Sequence, residues 1–309
     1  MKYEVMGFHL VNNRSGLKTI QEHYKKIDQL IPTLLEVKGS GKVISKNMED
    51  KALDFFRKKD IVPMVQNYNL ESDISNKLIS DKKAWSVFIN SILKYMSNNC
   101  YQELCLDIEG VGYSQKDTFN SFIKETTNEL HKKGYSLSIA VPAKSENNKD
   151  STWSGAYDYM ELGKIVDKVI IMAYDYHWVG GPSGPIAPIF WVQDVIDFAI
   201  MEIPLEKIYL ALGFYGYDWG LNTENRARGL IYNQIMNIAE RHKSTVEWDP
   251  DSQSPYLRYT LDGIKHEIWF ENRESISKKL NLLENFQLKG AAFWRLGQED
   301  PEIWSILQN

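Results

Sequence analysis

Asp107 and Glu109, two carboxylic acids one residue apart in the stretch LCLDIEGVG, have the types and spacing that suit proton-transfer chemistry. Cys105, Asp107 and Glu109 alternate with Leu104, Leu106 and Ile108, which is the pattern of a strand whose two faces differ. All three side chains are thus expected on one side. If that side is the inside of a barrel, the two carboxyls lie about 6 to 7 Å apart at the Cβ level, away from water. Such a pair does not ionise independently, because burial and the like charge hold one group protonated near neutral pH and leave the other as an anion. Acid-assisted cleavage of a glycosidic bond needs that combination. A bare D-x-E also marks the polar exit of many strands, so the surrounding chain has to decide.

Other apolar runs end in chemistry as well. VIIMAYDYHW brings Tyr174 and Asp175 to the end of one run, with Met172 just before them, and AAFWRLG brings Trp294 to the end of another. His9, Glu36, Asn67, Pro142 and the pair Tyr215 and Tyr217 hold the same position in the remaining runs. Residues at the C-terminal ends of parallel strands converge on one mouth when the strands close into a barrel.

The elements that would do this are legible from periodicity. Short β-branched runs are expected as strands at Val5 to Leu10, Thr33 to Val37, Val62 to Asn67, Leu104 to Glu109, Leu137 to Val141, Val169 to Tyr174, Ile208 to Gly213 and Ala291 to Leu296. Helices are expected between them at Lys18 to Leu30, Glu49 to Lys59, Trp85 to Met96, Asp117 to Lys133, Tyr157 to Ile165, Ile189 to Met201 and Glu274 to Asn285. Ser80 and Asp81 punctuate the start of one helix, Ser114 the next, and Gly134 its stop. Alternating strands and helices predict an α/β chain, a (β/α)8 TIM barrel forming one domain over residues 1–309. The long interval before the last strand, rich in Tyr and Trp over 222–271, predicts a small α+β insertion. Within it Trp248, Tyr256, Tyr259 and Trp269 are candidates either for contact with an extended glycan or for packing among themselves.

Composition excludes several alternatives. A net charge of -5 with lysines interspersed among acids argues against nucleic acid as a partner. Two cysteines, Cys100 and Cys105, five positions apart, make neither a disulfide scaffold nor a metal pattern. The six histidines show no H-x-x-x-H or Cys/His grouping, so neither a metal nor another cofactor is expected; His9 and His177 read as mouth residues or as ordinary hydrogen-bonding histidines. GSGKV, Gly39 to Val43, lacks the spacing of a phosphate loop, and no G-x-S-x-G elbow occurs. The first residues alternate like a strand and lack the apolar core of a secretion signal, and no run is long enough for a membrane span. A monomer acting in the cytoplasm or at the cell envelope is the expectation.

LCLDIE resembles the D-x-x-D-x-D-x-E line of glycoside hydrolase family 18, MAYD its M-x-Y-D element and FWRLG its eighth-strand Trp. The chain is most similar to the bacterial spore-germination and cortex-lytic branch of that family. Segments like LSIAVPAK, YDYMELGKIVDKVIIMAYDYHWVGGPSGPIAP, GFYGYDW and HEIWFEN occur there in the same order. The likeness covers essentially the whole chain.

The resemblance implies a retaining, substrate-assisted hydrolase of N-acetylglucosamine-containing glycans, peptidoglycan or cortex fragments or chitin oligosaccharides, in which the substrate's 2-acetamido oxygen attacks the anomeric carbon. It implies that Glu109 protonates the leaving oxygen and later deprotonates water, that Asp107 holds the acetamido nitrogen, and that Tyr174 hydrogen-bonds its oxygen. Asp175 would bind the sugar and tune Glu109, Trp294 stack beneath the ring, and Met172 pack against the site. Tyr215, Tyr217 and Trp219 would shape the groove, and Asn67 is expected to touch substrate. Gln102 and Cys105 stand where the fuller family line has Asp. An inner carboxylate at 105 can share a proton with Asp107, so Cys105 bears on rate and pH optimum while leaving the acid in place. A non-catalytic sugar-binding protein on the same barrel is the alternative of a different class. Glu109, Asp107 and Tyr174 argue against it, Cys105 and Gln102 for it.

Overall fold

The computed structural model describes residues 3–46, 51–223 and 226–307. Ten strands form one curled sheet in the order Gln29–Pro32, Glu4–His9, Gly290–Trp294, Ile208–Gly213, Lys168–Met172, Ser136–Pro142, Glu103–Asp107, Met64–Asn67, Leu35–Val37, Val43–Ser45. Every pairing is parallel except that between the last two. Gln29–Pro32 and Leu35–Val37 are neighbours in the chain yet stand at opposite flanks of the sheet. Leu30 also forms a parallel bridge with Ile61, and its carbonyl accepts from the Val62 amide at 2.8 Å, so the flanks meet there.

Alternation along the strands sorts the core into two sets. Met6, Phe8, Ile31, Val62, Met64, Cys105, Ile170, Tyr209, Ala211 and Ala292 fill the concave face. Their alternates, among them Val5, Val65, Leu104, Leu106, Ile139 and Ile171, pack outward against the helices. Burial on both faces is why these strands read as nearly continuous apolar runs.

Six of the seven expected helices are present with shifted ends. Arg14–His23 starts at Asn13, whose side chain accepts from the Gly16 amide at 2.7 Å. The helix expected over Lys18 to Leu30 therefore stops early, because parallel pairing with the first strand claims Gln29–Pro32. Lys82–Asn99 is capped by Asp81, as its sequence suggests, but Lys116–His131 has Gln115 at its cap and no side-chain bond there. Gly134 takes a φ of +76° just past that helix. The helix expected over Glu49 to Lys59 begins outside the described residues and is otherwise two 3-10 turns, Lys51–Phe55 and Lys58–Asp60. Ser72–Ser80, a helix without an expected counterpart, follows the strand Met64–Asn67.

A second sheet of five antiparallel strands has the order Arg228–Ile231, Tyr215–Gly220, Ile264–Phe270, Ser254–Leu261, Glu247–Asp249, with the helix Tyr232–His242 packed on it through Ile235. It begins at Tyr215 instead of the expected 222, because Tyr215–Gly220 pairs with Ile264–Phe270 straight after the parallel strand Ile208–Gly213 ends. Its return is anchored by a buried ion pair: Lys279 donates to both Glu271 oxygens at 2.9 and 2.8 Å, with both side chains 1% exposed. No helix among the described residues is long and apolar enough to cross a membrane.

Candidate active site

The strand Glu103–Asp107 ends one residue short of Ile108 and two short of Glu109, so Glu109 lies beyond the hydrogen-bonded ladder and not within it as expected. Asp107 stands on the concave face two residues above Cys105. It is 3% exposed, and one oxygen accepts from Gln66 Nε2 at 2.9 Å. Its other oxygen, Oδ1, is buried with no hydrogen-bond partner. Burial raises the Asp107 carboxyl to about 6, against the opposing pull of the Gln66 amide. Burial, then the charges of Asp107 and Asp175, push Glu109 up to about 8. At neutral pH the site thus holds a protonated Glu109 beside an ionised Asp107. That is the division of labour a proton donor and an anionic stabiliser need.

Tyr174 and Asp175 follow the strand Lys168–Met172. Asp175 adopts a left-handed backbone, φ +62°, which Asp tolerates better than most residues and which turns it toward the second sheet. Tyr215 and Tyr217 both donate to its Oδ1, the latter at 3.0 Å. Burial raises its pKa, and those two phenols pull it back. Burial and the charges of Asp107, Asp175 and Glu109 drive the Tyr174 phenol well above its ordinary range, so it stays a neutral hydrogen-bond donor among three carboxyls. Tyr174 meets Tyr215 edge-on with centroids 6.2 Å apart, and Trp294 rests edge-on against Phe8 at 5.3 Å. Because the second sheet starts directly after the strand Ile208–Gly213, Tyr215, Tyr217 and Trp219 reach this mouth. Trp219 donates to the Gly181 carbonyl at 3.0 Å.

A cavity of about 510 Å³ opens beside this group, lined by Ala143, Thr152, Trp153, Met172, Tyr174, Asp175, Trp178 and Trp191. Its size is that of an ordinary small-ligand pocket. Trp153 and Trp178 are 52% and 47% exposed, so much of their aromatic surface faces solvent instead of a core.

The structure therefore brings together Glu109, Asp107, Tyr174, Asp175, Met172, Tyr215, Tyr217, Trp219 and Trp294. Asn67 is different. Its amide is used up inside the chain, Oδ1 accepting from the Glu109 amide at 2.9 Å and Nδ2 donating to the Glu71 carbonyl at 3.0 Å. On its strand Met64 faces the concave side and Val65 the helices, so Gln66 takes the inward phase and Asn67 the outward one. The expected substrate contact is thereby corrected to a backbone support. His9 is fully buried, and His177 Nδ1 donates to the Pro185 carbonyl at 3.0 Å. Glu36 is paired with Lys46 at 3.3 Å. Tyr256 stacks on Trp269 at 4.7 Å, Trp269 donates to Glu267 and Tyr259 to Asp218, so these three pack within the second sheet. Cys100 and Cys105 are both free thiols.

Sequence reasoning missed Gln66, Trp153, Trp178 and Trp191. The alternation that singled out Asp107 would also have found Gln66. The three tryptophans belong to loops and a helix start, where no period signals direction.

Residues 5–299 match the family model described as glycosyl hydrolases family 18. The chain is 30% identical over 253 residues to the cortical fragment-lytic enzyme of Bacillus subtilis, covering 81% of this chain and 59% of that protein. It is 25% identical over 282 residues to the human di-N-acetylchitobiase, covering 77% and 72%. The crystal structure of the Bacillus cereus spore cortex-lytic enzyme SleL superposes with a TM-score of 0.91 at 26% identity, over 99% of this chain and 73% of that one. The chain spans about three-fifths of the length of the cortical fragment-lytic enzyme it matches. A curled parallel sheet with an acidic mouth, and a match over nearly the whole length, lead to one assignment: this chain belongs to glycosyl hydrolase family 18.

Proposed function

We propose that this glycoside hydrolase cleaves β-linked N-acetylglucosamine-containing glycans, peptidoglycan or spore-cortex fragments or chitin oligosaccharides, with retention and with the substrate's own acetamido group as nucleophile. On this reading the parallel strands, with Gln29–Pro32 and Leu35–Val37 as two parts of one and the flanks meeting at Leu30 and Ile61, are the eight strands of a closed (β/α)8 barrel and one catalytic domain, with the second sheet as its insertion.

The observation that carries the proposal is the buried Asp107, whose Oδ1 lacks a donor, beside Glu109, which burial and the Asp107 charge hold toward its protonated form. An acetamido N–H supplies that donor. Asp107 then orients the acetamido oxygen toward the anomeric carbon and offsets the positive charge of the oxazolinium ion as it forms. The neutral Tyr174 phenol donates to the same acetamido oxygen. Glu109 gives its proton to the leaving oxygen; the resulting carboxylate takes one from water as the oxazolinium ring opens. Asp175 keeps negative charge beside Glu109, which favours the protonated donor, and Trp294 and Met172 pack against the reacting ring. The next sugar along the chain enters the cavity walled by Trp153, Trp178 and Trp191, whose ring faces suit a pyranose.

Two measurements test this. NMR of the first-formed product gives its anomer; the β-anomer is expected, and α would overturn retention. A substrate pair differing only in a 2-acetamido or a 2-hydroxyl group on the reacting ring decides the nucleophile. Turnover of the hydroxyl member at a comparable rate overturns substrate assistance. Product masses from muropeptides and chitin oligomers, run side by side, then establish the preferred glycan.

A further inference from the structure

Glu109 has no ladder to hold it, since its strand ends at Asp107. A backbone leaving a sheet inside a buried mouth must find partners for each N–H and C=O elsewhere. Here the partners are side chains. The Glu109 amide donates to Asn67 Oδ1 at 2.9 Å, its carbonyl accepts from Ser75 Oγ at 2.5 Å, and the preceding Ile108 carbonyl accepts from Tyr157 Oη at 2.7 Å. Asn76 continues the series, accepting from the Gly112 amide at 3.0 Å and donating to the Gly110 carbonyl at 3.3 Å. Asn67 and Ser75 are themselves tied to the Glu71 carbonyl.

Three of these supports come from separate places: the end of the strand Met64–Asn67, the helix Ser72–Ser80 and the residue preceding Asp158, the cap of the helix Tyr159–Ile165. Asn67, Ser75 and Tyr157 are all at most 1% exposed, and the polar atoms named here are taken up by the backbone of the chain. Gly110 fits the same account. Its φ of +69° turns the chain sharply after Glu109, and a Cβ there would lie 2.4 Å from Ser72 Oγ, on the same helix that carries Ser75 and Asn76. The chain is pressed so closely onto that helix that no side chain fits between them.

We infer that Asn67, Ser75 and Tyr157 are positioning residues that clamp the backbone of the proton donor from three sides, with the helix Ser72–Ser80 present chiefly to supply one of those sides. The inference rests on the reading of Glu109 as the acid. Its consequence is that the clamp sets both where the carboxyl sits and what surrounds it. The titratable groups facing Glu109 are Asp107 and Asp175, with the phenols of Tyr174 and Tyr157 beside them. A carboxyl freed from the clamp moves toward water and away from the Asp107 charge, and both changes ease its ionisation.

The test compares Ser75→Ala, Ser75→Thr, Tyr157→Phe and Glu109→Gln in the full chain on a chitin oligosaccharide across pH, with rates given per folded molecule. For Ser75→Ala and Tyr157→Phe, kcat is expected to fall about tenfold or more while KM stays within about twofold, since misplacing a reacting group by a fraction of an ångström costs rate and not binding. The alkaline limb of the pH profile is expected to move to lower pH in both variants. Ser75→Thr keeps the hydroxyl and is expected to retain both the rate and the limb. An unchanged kcat overturns the inference, and so does a lower kcat with an unmoved alkaline limb, which is the mark of a merely structural role. If Tyr157→Phe does not fold, the two Ser75 variants carry the test, because they alter a single small group. A fully active Glu109→Gln would instead remove the acid reading itself. An inactive Glu109→Gln with undisturbed clamp variants removes only this inference.

Discussion

Replacing Asp107 by Asn removes one negative charge while keeping the size of the side chain, and its effect on Glu109 follows from the site. The Glu109 carboxyl sits near 8, raised from 4.5 first by burial and then by Asp107 and Asp175. Burial is the largest part of that rise and Asp175 shares the remainder, so repulsion by Asp107 accounts for about one pH unit, or about 1.4 kcal/mol. When Glu109 titrates, Asp107, near 6, is already ionised, so this repulsion is felt in full. Losing it eases Glu109 ionisation. The alkaline limb of kcat/KM, which reports loss of the protonated acid in the free enzyme, is therefore expected to drop from near pH 8 to about pH 7. At pH 7 the protonated fraction would fall from about nine-tenths to about one-half, in addition to whatever rate is lost with the acetamido partner. Because the two carboxyls are coupled, the unmodified profile shows limbs belonging to the pair, and the single limb of the Asn variant belongs to Glu109 alone. Initial rates on a fluorogenic N-acetylglucosaminide across the pH range measure it. If turnover is too slow, the chemical shift of a 13C-labelled Glu109 carboxyl gives the same titration without catalysis. An alkaline limb that stays in place or rises would refute the electrostatic argument.

Lys279→Met strands a buried Glu271 carboxylate and is expected to lower stability by about 3 to 5 kcal/mol in a denaturant melt, with activity per folded molecule retained. A loss below about 1 kcal/mol would show that the ion pair contributes little. Burial raises the Cys105 thiol far above its ordinary range while Cys100 is exposed, so a thiol reagent is expected to label one cysteine in the folded protein and both after unfolding. Trp153→Ala is expected to lower kcat/KM about fivefold for long oligosaccharides, for about 1 kcal/mol of stacking, and to leave the shortest substrate untouched; equal losses at every length would place Trp153 outside the groove.

What the sequence revealed and what it hid follow one physical line. Strand alternation is local, so Leu104 to Asp107 disclosed a concave and a helix-facing side before any coordinates, and the sheet sorts the residues that way. The same rule, applied at Met64 to Asn67, pointed to Gln66, which the eye passed over for Asn67. Where an element ends depends on which neighbour takes up its hydrogen bonds, and that is non-local. Leu30 left its expected helix because the first strand pairs with it, and the second sheet claimed Tyr215 because Phe270 lies opposite Gly216. Ser72–Ser80 escaped notice since SDISNKLIS is only nine residues long and carries just three large apolar residues, Ile74, Leu78 and Ile79, too short a run to establish a period. Trp153 and Trp178 sit in segments without regular structure, where orientation depends on long-range packing alone.

The account stands on Glu109 as the proton donor, and Glu109→Gln tests it most directly. This replacement keeps shape and hydrogen bonding but cannot give up a proton. Mass analysis of products from an N-acetylated oligosaccharide, with folding of both proteins verified, is expected to show the variant slower by about a hundredfold to ten-thousandfold. Equal product release by the two proteins would contradict the account.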